Sequence, residues 1–389
     1  MTARHDYDVA ILGAGLAGLS LAGRLAAPCF SGLRVLVVEP RVTYARDRTW
    51  SYWALAAHPF QAAVSASWER WAVAADGVHV VCAAAGLRYE SIPSDAFYSL
   101  ALDLVRAAPH IDLHLGALAT AVEDTNGVRV TFGSRTVRAA MAFDTRPPNG
   151  ARRHGLVQLF GGLEIETDKA VFDAGTAMLM DFRCAQAGAA HFTYVLPSSN
   201  HRALVEDTWF APLGLHPPDH VTAIRSYMRS RYGVERFATV FEEQGALPMD
   251  PVFQPRAGQR LLPLGVAGGA TRPSTGYAFH AIQSRCDGLA QDLLAGRLPR
   301  PARARPALVR MMDRVLLDLL GRRPELAPRI FAALFQRCEP RALVRFLNDS
   351  ARLTDFVAVA AAIPFVPTVT AALRLAMRRN EWPSSITVG

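Results

Sequence analysis

The chain has 389 residues, 51% of them hydrophobic, with a formal net charge of +8. That length allows two or three domains with substantial cores, and the apolar balance leaves room for contact with a membrane or a greasy ligand. The positive charge would suit nucleic acid. Yet the basic residues are almost all Arg, Lys169 is the only lysine, and no dense basic tract is interleaved with aromatics, so nucleic-acid binding is not expected. Weak attraction to anionic lipid stays open.

Tyr7 to Glu39 reads as one unit: an apolar strand, a Gly-rich turn, a helix, a second apolar strand and an acid. The turn is Gly13-Ala14-Gly15-Leu16-Ala17-Gly18. Each part has a task in holding a dinucleotide. Gly13 permits the tight turn, Gly15 lets backbone approach a pyrophosphate, and Gly18 lets helix and strand pack closely. The helix N-terminus offers unpaired N–H groups and partial positive charge to phosphates. Glu39, 21 residues after Gly18, can accept hydrogen bonds from ribose hydroxyls. Glycines serving helix packing alone would explain Gly18 but not Glu39. A single fingerprint at the N-terminus, with no second one for a separate nicotinamide domain, points to FAD rather than NAD.

The α/β pattern continues from Arg88 to Arg146. Tyr89–Ile92 looks extended, and Ser94 or Asp95 can cap a helix running through Val105 and Arg106. Ile111–Leu115 reads as a strand. Shorter runs follow at Thr120–Glu123, Val128–Phe132 and Thr136–Ala139, with a turn signal at Asn126-Gly127. The run Ala142–Arg146 ends this part. From Gly155 to Phe210 the pattern changes. Leu156–Glu166, Ala177–Phe182, His191–Leu196 and Ala203–Phe210 suggest an antiparallel sheet. Arg260–Ala270 is Gly-rich and apolar again, as if the chain re-enters its first domain.

Pro299, Pro301 and Pro306 punctuate a linker. Beyond it, Leu308, Met311, Met312, Val315 and Leu319 fall on one helical face. Phe356–Leu373 then holds no charged residue for 18 positions, followed by Arg374, Arg378 and Arg379. Such a run suits a buried helix pair, a membrane-dipping surface or a short span. Pro364 and Pro367 argue against one continuous span, and the basic end would suit snorkelling.

The fold class expected is therefore α/β. A Rossmann-type FAD-binding domain (1–150, with a return segment at 256–300) is joined to an antiparallel-sheet substrate domain (151–255). A helical region follows (301–389), open to membrane association. Five scattered cysteines with no CxxC pair signal neither a zinc site nor a disulfide framework, which fits a reducing cytoplasm. The short polar segment before the first strand does not read as a signal peptide.

Six further segments combine with the fingerprint: Arg46–Trp53, Gln158–Thr167, Val205–Phe210, Glu242–Met249, Gly268–Phe279 and Arg345–Leu347. Their order and spacing resemble the bacterial lycopene β-cyclase family (CrtY type) over nearly the whole chain. The resemblance implies a flavoprotein of carotenoid biosynthesis that catalyses an isomerisation. An acid protonates the terminal alkene of lycopene, a ring closes on the tertiary cation, and a ring proton is lost to give the β-ionone end. It implies reduced FAD as cofactor, NAD(P)H as reductant, and a cytoplasmic protein held peripherally on the inner face of the cell membrane. Two other readings stand beside it: a redox flavoenzyme such as a hydroxylase or isoprenoid reductase, and a carotenoid-binding flavoprotein without turnover.

Glu206 matches the acid of the family's (F/V/I)-E-(E/D)-T motif. A carboxyl beside an apolar polyene would be desolvated and its pKa raised. Asp207 is the alternative acid, but strand alternation points the two to opposite faces, and Glu206 is expected to face substrate. Glu242 and Glu243 lie in the family's E-x-G-x-L-P segment, either in the chemistry or fixing a turn. The Thr271–Phe279 loop lies where related flavoproteins cover FAD. Gly268-Gly269-Ala270 stands where many carry a Gly-Asp pair. Backbone N–H groups from Ser274 through Thr275 and Gly276 to Tyr277 are expected toward the isoalloxazine. Arg46 and Arg48 are expected near flavin phosphate, neighbouring acids or a surface ion pair. Of Trp50, Trp53, Trp209, Tyr277 and Phe279, one or two are expected to line a tunnel and the rest to be core.

Overall fold

A computed structural model describes residues 5–124, 126–147, 155–215, 217–249 and 258–377. The chain divides into two compact units: 1–69 with 86–152 and 251–304, and 70–85 with 153–250 and 305–389. In chain order the strands are β1 (Tyr7–Leu12), β2 (Val35–Glu39), β3 (Thr49–Trp53), β4 (Ala66–Trp68), β5 (Arg70–Ala75), β6 (Val78–Ala83), β7 (Tyr89–Pro93), β8 (Ile111–Leu115) and β9 (Ala119–Asp124). There follow β10 (Gly127–Phe132), β11 (Arg135–Asp144), β12 (Leu156–Glu166), β13 (Thr176–Asp181), β14 (Ala190–Pro197), β15 (Arg202–Pro212), β16 (Ala238–Pro248) and β17 (Leu261–Pro263). The helices are α1 (Leu16–Leu25), α2 (Ser94–Arg106), α3 (His220–Tyr232), α4 (Phe279–Leu294), α5 (Ala307–Arg322), α6 (Ala327–Arg337), α7 (Pro340–Leu347), α8 (Leu353–Ala362) and α9 (Phe365–Met377).

The first unit is built on a sheet of order β8-β2-β1-β11-β10-β9, with β17 also beside β11. Strands β8, β2, β1, β11 and β17 pair in parallel. Because both faces of β1 and β2 are covered, these strands read as unbroken apolar runs. Val9, Ile11, Val35 and Val37 pack with the side chains of α1, α2 and α4, while Ala10, Leu12, Leu36 and Val38 pack with Val128, Val130 and Phe132 of β10. Burying each of these Val and Leu side chains contributes about 1.5–3 kcal/mol. Strand β17 is the chain's return to this unit, as the Gly-rich segment suggested. The helix cap sits one residue earlier than expected. Pro93 is the N-cap of α2, and the buried Ser94 hydroxyl instead accepts from the backbone N–H of Asp47 and Arg48 at 2.9 and 3.2 Å.

The second unit carries a seven-stranded sheet of order β16-β12-β15-β14-β13-β5-β6. It includes residues 70–85, which the sequence-based division left in the first domain, because β5 pairs in parallel with β13. The C-terminal helices likewise belong to this unit rather than standing apart. One face of the sheet is covered by α3, whose Ile224, Tyr227 and Met228 pack on Leu163, Ile165, Val195, Ala203 and Val205. On the other face Phe331 of α6 meets Phe210 of β15.

Two expectations for the helices change. In α5 the buried residues include Val309, Val315, Leu319 and Leu320, whereas Leu308 and Met311 are exposed, so the packed face is rotated from the stripe read in the sequence. The uncharged run breaks at Ile363-Pro364 into α8 and α9, with axes bent by 116°. A proline there removes a backbone donor and clashes with the preceding turn. Among the described residues no single helix is long and apolar enough to cross a membrane. Nor is the pair simply buried: Leu353, Val357 and Leu373 are exposed.

Candidate functional site

In the first unit, the β1–α1 turn has the form a dinucleotide needs. Gly13 has φ +96°, a left-handed conformation that favours glycine, and an added Cβ would lie 2.6 Å from Thr145 Oγ1. A Cβ on Gly18 would meet the Gly13 carbonyl oxygen at 2.0 Å, so helix and strand approach as closely as the fingerprint implies. A Cβ on Gly15 would find only Arg41 Nη2, at 3.7 Å. Gly15 is the N-cap of α1, with no side-chain cap and no acid in the first turn. The helix N-terminus is thus left to an outside anion, which is how the residues present fit a pyrophosphate.

Glu39 is buried at the end of β2 and holds this turn. Its Oε2 accepts from the Ala14 N–H at 2.5 Å, and its Oε1 accepts from Arg41 N and Nε at 3.1 and 2.6 Å. The Arg41 guanidinium lies over the Tyr44 ring at 4.4 Å and the Tyr98 ring at 5.1 Å. Tyr44 Oη and Arg41 Nη2 both donate to the Ala14 carbonyl. Arg41 and its two tyrosines were missed in the sequence, where Arg46 was singled out. Arg46 Nη2 reaches Thr49 Oγ1 at 3.4 Å, and Arg48 forms an exposed ion pair with Asp47. The signal available was a basic residue two positions after the strand-ending acid.

The Thr271–Phe279 loop is folded on itself. The N–H groups of Thr275 and Gly276 donate to the Arg272 carbonyl at 3.3 and 2.9 Å, and the Tyr277 N–H donates to Thr275 Oγ1 at 3.3 Å. The expected row of donors from 274 to 277 is therefore largely used inside the loop; Ser274 itself is buried. Gly276, at φ +72°, makes this turn possible. The motif aromatics are mostly core, as expected: Tyr277 meets the edge of Trp53 at 5.4 Å, Phe279 stacks on Tyr52 at 4.1 Å, and Trp50 packs on Phe97 and Tyr98.

In the second unit, β15 carries Glu206 and Asp207 on opposite faces. Asp207 is buried and fully engaged. His191 Nε2 lies 2.5 Å from its Oδ1, and Trp209 Nε1 donates to its Oδ2 at 2.7 Å. The His191 and Trp209 rings stack at 3.7 Å, and His191 Nδ1 reaches the Ala185 carbonyl at 2.6 Å. Each ring nitrogen thus has an oxygen within hydrogen-bonding distance. This face also opens on a cavity of about 610 Å³ that Asp207 helps to line, together with Leu159, Trp209, Leu213 and Leu215.

Glu206 has different surroundings. Among the described residues its side-chain partner is Thr208, whose Oγ1 donates to Oε1 at 2.8 Å. Burial pushes its carboxyl up to about 7, with the nearby Asp207 charge adding to the effect. Across the sheet it faces Tyr194 of β14 and Gly162 of β12, and Gly162 in turn faces Glu243 of β16. A Cβ on Gly162 would lie 3.3 Å from Glu243 Cγ and 3.5 Å from Glu206 Cβ. Glu242 falls on the other face, exposed, with His220 Nε2 at 3.0 Å from its Oε1. The neighbouring Gly161 admits His220, whose Cγ would sit 2.3 Å from an added Cβ. The 610 Å³ cavity therefore lies on the Asp207 face, where both Asp207 oxygens already have partners.

The architecture is that of the FAD-type flavoproteins. The chain is similar to a flavoprotein/dehydrogenase from Cytophaga hutchinsonii, with a TM-score of 0.64 at 13% identity, covering 95% of this chain and 99% of that one. It is similar to the flavin-dependent brominase Bmp2, with a TM-score of 0.63 at 16% identity over 96% and 100%. A geranylgeranyl bacteriochlorophyll reductase-like protein from Thermoplasma acidophilum gives 0.61 at 15% over 95% and 99%. Within this class the family is narrower. Residues 8–373 match the lycopene cyclase protein family, and the chain belongs to it. It is 29% identical over 291 residues to a lycopene beta-cyclase of a Paracoccus strain, covering 70% of each.

Proposed function

We propose that the protein is a lycopene β-cyclase, converting the linear ends of lycopene to β-ionone rings, through γ-carotene to β-carotene, without net redox change. The observation that carries this reading is Glu206: a motif acid held near neutrality by burial, with a single hydroxyl partner. At pH 7 about half of such a group is protonated, which suits a general acid. Its proton goes to the terminal alkene carbon, leaving a tertiary cation that the neighbouring double bond attacks to close the ring.

The cofactor of this reading is FAD in reduced form, with NAD(P)H as reductant. Gly13, Gly15, Gly18 and the α1 N-terminus would hold the pyrophosphate, and Glu39 with Arg41 the adenosine side. When bound, reduced flavin would supply negative charge, which favours cationic intermediates. Because the substrate is a membrane-dissolved hydrocarbon, the reading also gives a role to the exposed Leu353 and Val357 of α8 and Leu373 of α9. They would rest on the inner face of the cell membrane, on the cytoplasmic side.

Expression in a lycopene-accumulating host tests this. The wild type should yield β-carotene and fractionate with membranes. Glu206→Gln should lower ring formation about 10²–10⁴-fold while FAD is retained. Full β-carotene yield from that variant would sink the assignment. Consumption of one NAD(P)H per ring would instead support a redox flavoenzyme.

A further inference from the structure

We propose that Glu243 is the second catalytic group of the cyclisation, the base that takes the ring proton from the cation generated by Glu206. The inference rests on the cyclase reading above. It starts from register: Glu206, Gly162 and Glu243 sit at one level of three adjacent strands, so all three point to the same face of the sheet. The middle residue has no side chain. Leu204 Cδ1, Glu243 Cγ and Glu206 Cβ all lie within 3.5 Å of where its Cβ would be. The glycine thus lets the side chains of Glu206 and Glu243 close in on each other across the middle strand, where a larger residue would push them apart.

Glu243 is buried although it belongs to a strand at the sheet edge, whereas its neighbour Glu242 is exposed on the opposite face. The cyclisation needs two proton transfers at nearby carbons of the same end group. Glu206 gives its proton to the terminal alkene carbon. The π pair of the second alkene forms the ring C–C bond and moves the positive charge to a ring carbon. A C–H bond beside that carbon then breaks, its electron pair becomes the ring double bond, and the proton passes to the Glu243 carboxylate. No electrons enter or leave. Transfer of the proton from Glu243 back to Glu206 resets the pair. The position of the base decides which C–H bond breaks, and hence where the ring double bond lies.

The test is the ring isomer formed by Glu243→Gln in lycopene-accumulating cells, with flavin content measured on the purified protein. The expected result is ring formation slowed at least about tenfold, with rings carrying a displaced double bond beside the β form, and flavin retained. A flavin-loaded Glu243→Gln enzyme that makes only β rings at the wild-type rate overturns the proposal. Should that variant fail to fold, Glu243→Asp is read instead. Withdrawing the carboxylate by one carbon should slow ring formation about fivefold or more, and an unchanged rate overturns the proposal. A wild type that forms no rings would fault the cyclase reading itself, not the assignment of Glu243 within it.

Discussion

Glu206 and Asp207 are neighbours in sequence but face opposite sides of one strand, and the two sides differ in how completely they satisfy a carboxylate. Asp207 has a partner on each oxygen and an aromatic stack beside it. Glu206 has one hydroxyl and a desolvated setting that raises its carboxyl to about 7. A carboxylate with a partner on each oxygen is fixed in its geometry. A carboxyl whose charged form is short of partners keeps its proton to higher pH, where it can serve as an acid. Under the cyclase reading the sheet would use adjacent acids for opposite purposes, with a structural pair behind a reactive group.

The largest expected effect tests the structural half. Asp207→Ala leaves the His191 ring and the Trp209 N–H without their acceptor in a buried place. Removing one partner of such a pair costs about 3–5 kcal/mol. Thermal unfolding should register this as a large drop in Tm, while the protein that remains folded should form rings within about tenfold of the wild-type rate. Unchanged stability would show that the pair holds nothing, and the contrast between the two faces would fail.

A smaller effect tests the reactive half through pH. Burial raises the Glu206 carboxyl above its unfolded value, so the folded state binds this proton more tightly. Its contribution to stability is then present below the ordinary carboxylate range and is lost as pH rises through about 7. Activity should follow the protonated form, steady toward pH 6 and falling about tenfold per unit well above neutrality. A rate that stays flat to pH 9, measured with flavin saturating, would remove Glu206 as the acid.

Much of the frame was legible because its signals are local. The strands at Ile111–Leu115 and Leu156–Glu166 have the bounds read from the sequence. The Gly13–Glu39 unit has the turn, packing and terminal acid its spacing implies. What escaped depends on groups distant in sequence. The packed face of α5 is set by what lies against it, so an amphipathic stripe alone misjudged its rotation. Arg41 matters because Tyr44 and Tyr98 flank it, and Tyr98 comes from another element. In Gly161-Gly162 each glycine serves a different face, one admitting His220 and the other separating two acids. Only cross-strand register reveals that division.

Register also gives the smallest prediction. Glu242 and Glu243 look equivalent in the sequence, yet Glu242 shares the Asp207 face, is exposed, and pairs with His220 at 3.0 Å. An exposed pair of this kind contributes about 0–1 kcal/mol, because solvent screens it and ordering two side chains costs entropy. Glu242→Gln should therefore change stability by about 0.5 kcal/mol or less and leave the rate and ring isomer unaltered. Measured beside Glu243→Gln under the same conditions, it separates the two faces without changing local composition. If Glu242→Gln impaired ring formation as strongly as its neighbour, the β16 acids would be acting through the strand as a whole, and the face-by-face division would not hold there.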